Sequence, residues 1–295
     1  AEVAACRARG GRVVAVGTTS VRALESSLNE AGQVVGRSTN ADGQERAFLW
    51  TAAGGMIDLG TLGGDDSRAT LINDAGQVAG QADDADGNAR AFLWTPAEGM
   101  IDLGTLGGPS SIPLGISDSG QVVGRSDTAD GQRRAFSWTA DTGMVDLGAL
   151  GGSSSTATDV NNVGEVTGYW QEEVFSDTRV FYWSIESGMI DIGAEPQFVG
   201  ATPGGINDDG VIFGDTDTEV AFYWTAEEGL LRFSDLVTDD GLSFGDGIAI
   251  NEAGSVLANG FRGLYLLRPT DDVDPVADED GDGVSDAADL CPGTV

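Results

Sequence analysis

Short apolar runs separated by polar turns recur along the middle of the chain at an almost constant interval. Glycines mark the period, with spacings of 44, 44, 44, 46 and 44 residues along the series Gly32, Gly76, Gly120, Gly164, Gly210 and Gly254. Repeats of this length indicate a stack of one supersecondary unit, as in propellers and solenoids. Because neighbouring units bury each other's apolar faces, the repeated segment is expected to fold as one array.

Four strand signals recur in each repeat. A short apolar run follows the marker glycine, an aromatic run ends in a tryptophan, a GMIDLG-type segment comes next, and a final apolar run leads into the following turn. The aromatic runs end at Trp50, Trp94, Trp138, Trp183 and Trp224. β-branched and aromatic residues bounded by glycine, asparagine and aspartate are typical of short strands.

The connections between these runs have the composition of tight turns. In Asn73–Gly76 the asparagine stands first and the glycine fourth, so the side chain can bond its own turn and the glycine can adopt positive φ. Ser117 replaces the asparagine once. A second hairpin is predicted at Asp42-Gly43, Asp86-Gly87 and Asp130-Gly131.

Four short antiparallel strands per repeat predict an all-β fold, a β-propeller of four-stranded blades with five full repeats and a partial sixth. The repeated tryptophans and phenylalanines are expected to fill the space between neighbouring sheets. A β-solenoid is the alternative, and it would need shorter and more uniform coils. The partial repeat at Ser255–Pro269 predicts a last blade that lacks two strands, which Val13–Gly17 and Leu24–Leu28 could supply.

The period divides the chain into three segments, residues 1–25, 26–269 and 270–295. In the later repeats a small residue or a proline lies three positions before the end of the final run, whereas Glu25 stands there in the first repeat. The repeat is therefore expected to begin near Ser26, after an N-terminal fragment of different origin.

Composition narrows the possible chemistry. The 295 residues carry 48 acidic and 15 basic side chains, for a net charge of −33, and every basic residue is arginine. Such an acidic surface disfavours binding to nucleic acid and to anionic membranes and favours divalent cations. The chain has no histidine, which excludes a Ser-His-Asp triad, a histidine-ligated metal and an imidazole base. No apolar run approaches the ~18 residues of a membrane-spanning helix.

The tail, residues 270–295, has the spacing of a calcium-binding loop. Oxygen ligands at positions 1, 3, 5, 7, 9 and 12 of such a loop, with glycine at position 6, suit Ca²⁺. The residues at the ligand positions are Asp278, Asp280, Asp282, Val284 through its carbonyl, Asp286 and Asp289. Asp289 replaces the usual bidentate glutamate, so the expected affinity is that of extracellular modules, about 10⁻⁴–10⁻³ M. The alternative is a solvated acidic linker.

The repeat resembles the HAF family of extracellular repeats, found mainly in bacterial proteins. The matching pieces are INDAGQVAG, RAFLW and GMIDLGTLGG, within residues 27–269. The resemblance implies a secreted or cell-surface protein of poorly defined function. Where that family has His-Ala-Phe, this chain has Arg46, Arg90 and Arg134 before Ala-Phe, so any role of the histidine is lost or passes to arginine.

The two ends of the chain resemble other families. The tail reads DEDGDGVSDAADLCPGT and resembles a thrombospondin type 3 repeat, common in calcium-binding bacterial surface proteins. The stretch Ala8–Ser26 is similar to part of S-adenosylmethionine:tRNA ribosyltransferase-isomerase, the queuosine-pathway enzyme. The positions that match the motif of that enzyme are Thr18, Thr19, Arg22 and Glu25.

Three functions are compatible with these features. The first is a secreted or cell-surface binding or structural module, with a glycan or protein as extracellular ligand and Ca²⁺ in its tail as the only expected cofactor. The second is a carbohydrate-active enzyme that uses paired carboxylates. The third is the tRNA-modifying transferase, against which the strong negative charge and the shortness of the match argue.

Residues that break the repeat are the candidates for enzyme chemistry, because repeated residues are expected to be scaffold. These candidates are Trp170, Gln171, Glu172, Glu173, Asp215, Asp217 and Glu219, and they are expected in hairpin loops. The recurrent aspartates are expected to bond backbone N–H groups in their turns rather than to form a ring of ligands. They are Asp58, Asp102, Asp146 and Asp191.

Overall fold

The protein is described here from a computed structural model, which covers residues 29, 31–173, 177–193, 200–216, 220–232, 244–251, 254–260 and 263–267. These residues form 22 β-strands and no helix. The two segments proposed to complete the last blade, Val13–Gly17 and Leu24–Leu28, lie outside the described residues.

The described strands form six consecutive antiparallel groups, here called blades 1 to 6, and the third and fourth of these belong to one eight-stranded sheet. Blade 1 contains β1 (Val34–Thr39), β2 (Glu45–Thr51) and β3 (Gly55–Asp58). Blade 2 contains β4 (Gly63–Ile72), β5 (Val78–Asp84), β6 (Ala89–Thr95) and β7 (Gly99–Asp102). Blade 3 contains β8 (Gly107–Ile116), β9 (Val122–Thr128), β10 (Arg133–Thr139) and β11 (Gly143–Gly148).

The remaining three blades follow the same order. Blade 4 contains β12 (Ser154–Val160), β13 (Val166–Gln171), β14 (Arg179–Ser184) and β15 (Gly188–Asp191). Blade 5 contains β16 (Thr202–Ile206), β17 (Ile212–Asp215), β18 (Phe222–Thr225) and β19 (Gly229–Arg232). Blade 6 contains β20 (Phe244–Ile250), β21 (Val256–Gly260) and β22 (Gly263–Leu267). One parallel bridge, between Arg133 and Ser154, links blades 3 and 4.

The sheets are offset from the sequence repeat. The final apolar run of a repeat does not pair with a strand of its own repeat. It pairs with the run after the next marker glycine, as β4 pairs with β5. For the same reason β20, which precedes Asn251, belongs to blade 6. The prediction that the last blade lacks two strands is therefore wrong, because three strands of blade 6 are present among the described residues.

The predicted turn chemistry is confirmed at the first hairpin of each blade. In blade 2 the N–H of Gly76 donates to the carbonyl of Asn73 (3.1 Å), and Gly76 has a φ of 76°. The side-chain oxygen of Asn73 accepts from the N–H of Gln77 (2.8 Å). Since glycine reaches positive φ without a steric penalty, asparagine and glycine together close the turn.

Neighbouring blades pack face to face, and each of the four joints from blade 1 to blade 5 has its own apolar core. Alternate residues of a strand point to opposite faces, so Ala91 and Leu93 of β6 face blade 3, whereas Phe92 faces Ala47 and Leu49 of blade 1. Each joint thus combines small and aliphatic residues of one blade with aromatic residues of the next. This confirms that the repeated aromatic residues fill the space between sheets.

The phenylalanines contribute most to these cores. Phe92, Phe136 and Phe181 are 0% exposed and Phe222 is 1% exposed. Burying a side chain of this size stabilises the fold by about 1.5–3 kcal/mol. The tryptophans lie nearer the margin, and their exposure ranges from 6% at Trp224 to 38% at Trp50.

A glycine in the second strand of each complete blade leaves room for this aromatic ring. Gly80 of β5 pairs with Phe92 of β6 and with Ala69 of β4, where the register shifts. A Cβ atom at Gly80 would clash with the carbonyl oxygen of Arg68 and with the ring of Phe92. The small residue or proline noted in each repeat therefore lies beside a β-bulge, at the point of closest approach.

A serine latches each of blades 2 to 4 to the blade before it. The hydroxyl of Ser67 accepts from the N–H of Ala47 in blade 1 (2.9 Å) and donates to the carbonyl of Gly60 (2.6 Å). Ser111 and Ser155 make the corresponding bonds one and two blades later. The latch satisfies buried backbone groups at the joint, which are costly to leave unpaired.

The first hairpin turns of successive blades touch one another. The side-chain amide of Asn73 donates to the carbonyl of Ser117 (2.8 Å), which is 44 residues further along the chain. Other amides continue the series, here called the asparagine ladder, from Asn29 to Asn73, from Asn161 to Asn207 and from Asn207 to Asn251. Because these turns converge, the strand that precedes each ladder turn, which is the first strand of blades 2 to 6, lies at the inner edge of the array.

Candidate functional site

The inner strands of blades 2 and 3 line a cavity of about 260 Å³. Its lining contains both polar and apolar side chains. The lining residues are Arg68, Thr70, Leu71, Gln81, Ile112, Pro113 and Leu114. The cavity therefore lies at a joint between two blades, beside the inner edge of the array.

Arg68 is held in place by a chain of hydrogen bonds across the joint. Its guanidinium donates to the side-chain oxygen of Gln81, its direct partner on β5. The amide of Gln81 is buried and donates to the carbonyl of Ser111 in blade 3 (3.0 Å). Because Gln81 is fixed at both ends, it orients the guanidinium, while the side chain of Arg68 stays exposed to the cavity.

The charge of Arg68 is not matched by an acidic side chain in the part of the chain that the structure describes. Ion pairs there join Arg37 to Glu45, Arg90 to Asp84 and Arg179 to Asp191. A guanidinium has five N–H donors in a planar fork. A free edge of that fork, beside the apolar wall of the cavity, can bind a carboxylate through two parallel hydrogen bonds.

The sequence analysis did not identify Arg68 or Gln81. A signal was present, because the positions equivalent to Arg68 in the next three inner strands are Ile112, Thr156 and Thr202. An arginine at this point departs from the repeat in type and in charge. The departure is a single residue within an apolar run whose pattern otherwise predicts a strand.

The recurrent aspartates have the structural role that was expected. The carboxylate of Asp58 accepts from the N–H of Gly60 (2.8 Å). Asp102, Asp146 and Asp191 make the same bond to the glycine two residues later. Because these carboxylates fix their own turns, the prediction of backbone bonding is confirmed.

The three arginines that replace the family histidine have different surroundings. Arg90 forms an ion pair with Asp84 (3.1 Å). The pKa of Asp84 is lowered from its ordinary value, mainly because its carboxylate accepts a hydrogen bond from the N–H of Asn88 and to a smaller extent because of its other hydrogen bonds. Arg134 donates to the carbonyl of Ser153 in blade 4 (3.0 Å). Arg46 contacts Gln44 (3.5 Å). These arginines therefore do not form one repeated ligand position.

The candidates for enzyme chemistry are separated by the fold. Trp170 and Gln171 end strand β13 rather than lying in a loop, and Trp170 is only 6% exposed. The guanidinium of Arg179 lies 5.1 Å from the ring centroid of Trp170, so this indole is a packed side chain. Glu172 and Glu173 are exposed in the following turn. The expectation that Trp170 and Gln171 lie in a loop is wrong.

The other predicted positions are placed only in part. Asp215 ends β17 and accepts from the hydroxyl of Thr202 (3.3 Å). Asp217 and Glu219 lie outside the described residues, as do the N-terminal positions Thr18, Thr19, Arg22 and Glu25. The predicted calcium ligands, Asp278, Asp280, Asp282, Val284, Asp286 and Asp289, also lie outside them.

The described residues lack a metal-binding cluster and a membrane-spanning helix. Across the six blades as described, His, Cys, Asp and Glu side chains form no group of three or more able to hold a metal ion. The same residues include no helix of the length and apolar character that crossing a membrane requires.

Comparison with known proteins confirms the similarity predicted for the N-terminus. The queuosine biosynthesis protein family matches residues 1–53, which include β1 and the whole of β2. S-adenosylmethionine:tRNA ribosyltransferase-isomerase from Desulforamulus reducens is 68% identical over 34 residues, which are 12% of this chain and 10% of that protein. The chain thus spans about a tenth of the length of this curated relative.

Solved structures with a similar fold include a β-propeller domain. The β-propeller domain of the trilobed protease from Pyrococcus furiosus has a TM-score of 0.52 at 9% identity, over 86% of this chain and 84% of that one. Puromycin hydrolase has a TM-score of 0.53 at 12% identity, over 82% of this chain and 44% of its own. At such identities the likeness shows the fold alone. The chain is a β-propeller, as predicted.

A third solved structure is more distant. TolB from Acinetobacter baumannii has a TM-score of 0.46 at 12% identity, over 67% of this chain and 50% of that chain. This chain therefore spans half the length of that protein.

Proposed function

We propose that the protein is a ligand-binding propeller and that its ligand occupies the cavity between the inner strands of blades 2 and 3. The observation that carries the proposal is the exposed guanidinium of Arg68, oriented by Gln81 at the edge of that cavity. Repeated polar residues are engaged in turns, latches and the ladder, whereas Arg68 departs from the repeat. Ligand sites combine an apolar wall with a few oriented polar groups.

The lining of the cavity defines the class of ligand. Ile112, Pro113 and Leu114 supply an apolar wall, and Leu114 is 38% exposed. Arg68 supplies the positive charge, and Thr70 supplies a hydroxyl. A small molecule with a carboxylate at one end and an aliphatic body fits this distribution. The described residues that line the cavity are aliphatic or polar rather than aromatic, which favours such a molecule over a sugar that stacks on an aromatic ring.

The first experiment is calorimetry with an aliphatic carboxylate, hexanoate, and with its uncharged amide, hexanamide. We expect hexanoate to bind the parent protein and hexanamide to bind at least tenfold more weakly, because only the carboxylate engages the guanidinium fork. Arg68→Met is expected to weaken hexanoate binding by about tenfold or more, equivalent to ~1.4 kcal/mol.

The matched control removes the same charge elsewhere. Arg133 is an exposed arginine on β10 and does not line the cavity, so Arg133→Met is expected to leave hexanoate binding unchanged. Equal affinities of Arg68→Met and the parent, or of the acid and the amide, would show that the cavity is not a carboxylate site.

An extracellular location and calcium binding by the tail are also part of the proposal. They are supported by the HAF and thrombospondin type 3 resemblances and by the loop spacing from Asp278 to Asp289. Calcium calorimetry on the whole chain is expected to detect a site of about 10⁻⁴–10⁻³ M. Asp280→Ala is expected to abolish it, and an unchanged titration in that variant would remove the site.

The transferase activity is not favoured. The similarity to the tRNA-modifying enzyme covers 34 residues and a tenth of that protein, and the net charge of −33 opposes binding to tRNA. Calorimetry with S-adenosylmethionine is expected to give no binding heat. A saturable signal would bring this activity forward.

A further inference from the structure

Blade 1 exposes apolar positions that later blades cover. Trp50 is 38% exposed and Met56 is 59% exposed. In blade 2 the equivalent residues, Trp94 and Met100, pack on the core that blades 1 and 2 share. Trp50 and the half-buried Phe48 lie on β2, and Met56 lies on the neighbouring strand β3. These three residues are called here the first-blade face.

The asparagine ladder has an open position at each end. The carbonyl of Asn73 accepts two donors, the N–H of Gly76 and the side-chain amide of Asn29. The carbonyl of Asn29 accepts from the N–H of Gly32 (3.0 Å), and among the described residues no side-chain amide donates to it. At the other end Asn251 is exposed, whereas Asn207 is 1% exposed.

The two open ends are complementary in direction. At the interior joints a blade offers its small and aliphatic face to the aromatic face of the blade that follows. Along the ladder, the amide likewise points to the turn of the following blade. Blade 6 therefore has the amide of Asn251 to offer, and blade 1 has the matching carbonyl of Asn29 and the uncovered aromatic face.

We propose that the protein associates head to tail, with blade 6 of one copy seated on the first-blade face of a second copy. In that contact the side-chain amide of Asn251 donates to the carbonyl of Asn29 in the other molecule. The contact continues the geometry of the interior joints, and it joins two different surfaces. Such a heterologous contact produces a ring where the rotation closes and an open chain where it does not.

The experiment is sedimentation velocity on the whole chain over a wide range of concentration. We expect the parent protein to form larger species as the concentration rises. The double variant Trp50→Glu with Met56→Glu is expected to sediment as a monomer, because two charges on the first-blade face cannot be desolvated by a neighbouring blade. Val145→Glu is the control, since Val145 is a 43% exposed apolar residue on blade 3.

A second variant tests the other half of the contact without altering an apolar face. Asn251→Ala removes the donor and is expected to weaken association by up to about tenfold, as the loss of one hydrogen bond predicts. Circular dichroism should show that all variants retain the parent β-sheet signal.

Two results would overturn the proposal. One is a parent protein that stays monomeric at every concentration, as it would if its own blade 6 covered the first-blade face. The other is association that the double variant does not reduce.

Discussion

Blades 1 and 2 have nearly the same sequence but a different degree of burial. Their next-to-last strands read ERAFLWT in β2 and ARAFLWT in β6, and both are seven residues long. Phe92 and its neighbours lie within the core of a joint, whereas Trp50 is 38% exposed. The difference lies in the neighbour, because blade 2 has blade 1 against its aromatic face.

This comparison shows where the stability of the array resides. A strand with the repeated motif forms in both blades, so the motif is sufficient for local structure. The stabilisation by burial appears only where a second blade covers the aromatic face, as expected when stability is shared between units and their joints. Substitutions at equivalent positions in the two blades should therefore have unequal effects.

The largest expected effect comes from the phenylalanine of the repeat. Phe92→Ala is expected to lower the free energy of unfolding by about 3–5 kcal/mol, because Phe92 is 0% exposed and truncation leaves a cavity. Phe48→Ala should cost clearly less, since Phe48 is half-buried. Denaturant unfolding of the two variants, at low protein concentration, provides the measurement. Equal losses would mean that the neighbouring blade is not the source of the difference.

The ladder provides a smaller contrast of the same kind. Asn73→Ala removes bonds to Gln77 and to the carbonyl of Ser117, and we expect a loss of about 1–3 kcal/mol. Asn251→Ala should cost at most about 1 kcal/mol in the monomer, because Asn251 is exposed and the substitution removes the bond that its side-chain oxygen accepts from the N–H of Ser255. Thermal unfolding of both variants tests this order, which would be contradicted by a larger loss for Asn251→Ala.

The joint between blades 4 and 5 extends the comparison to pH. Tyr182 packs on Trp224 with 5.1 Å between ring centroids and donates to Glu165 (2.6 Å). Burial, and then the bond to Glu165, raises the pKa of Tyr182 to about 12. The folded state thus favours the neutral phenol, so this contribution is complete below pH 10, the ordinary value, and is lost as the pH rises towards about 12.

Tyr182→Phe is the variant that tests this. It is expected to be less stable than the parent at pH 7 by about 1 kcal/mol, and its stability should fall less steeply between pH 10 and about 12. Urea unfolding at a series of pH values measures both quantities. The same slope in the parent and the variant would assign the alkaline loss to other groups.

The smallest expected effect is a gain at the joint between blades 3 and 4. The hydroxyl of Ser117 bonds Ser119 and the N–H of Gln121 within its own turn, and no side-chain bond from Ser117 to the turn of blade 4 is present in the described ladder. Ser117→Asn should restore the missing step and stabilise the protein by about 0.5–1.5 kcal/mol. Ser119→Asn, in the same turn, is the control and should bring no gain. Melting temperatures distinguish the two variants.

Much of the fold could be predicted from the sequence because each blade is built from local signals. The 44-residue period, the turn at Asn73 and the aspartate turns are all patterns within a few residues of each other. The offset between repeat and blade could not be predicted. By sequence β4 belongs to the same repeat as β3, but it pairs with β5, which belongs to the next repeat. Strand pairing of that kind depends on the arrangement of neighbouring repeats.

The candidate site was less predictable than the fold. Arg68 becomes a candidate ligand-binding residue only because the side chain of Gln81, which orients it, is fixed by the carbonyl of Ser111 in the next blade. Trp170 looked like a loop residue because it departs from the repeat, but the strand continues through it and Arg179 covers its ring. In each case the decisive contact joins residues from different strands or blades, which repeat spacing does not report.

The sequence by itself determined the number and kind of local units, since alternation and turn residues act over four to ten residues of backbone. Only the tertiary structure decided which copies of the same aromatic residue are buried, which carbonyl each asparagine amide reaches, and where an arginine remains exposed. The physical reason is that burial and long-range hydrogen bonds depend on the surface that a neighbouring blade presents, and identical repeats do not all have the same neighbour.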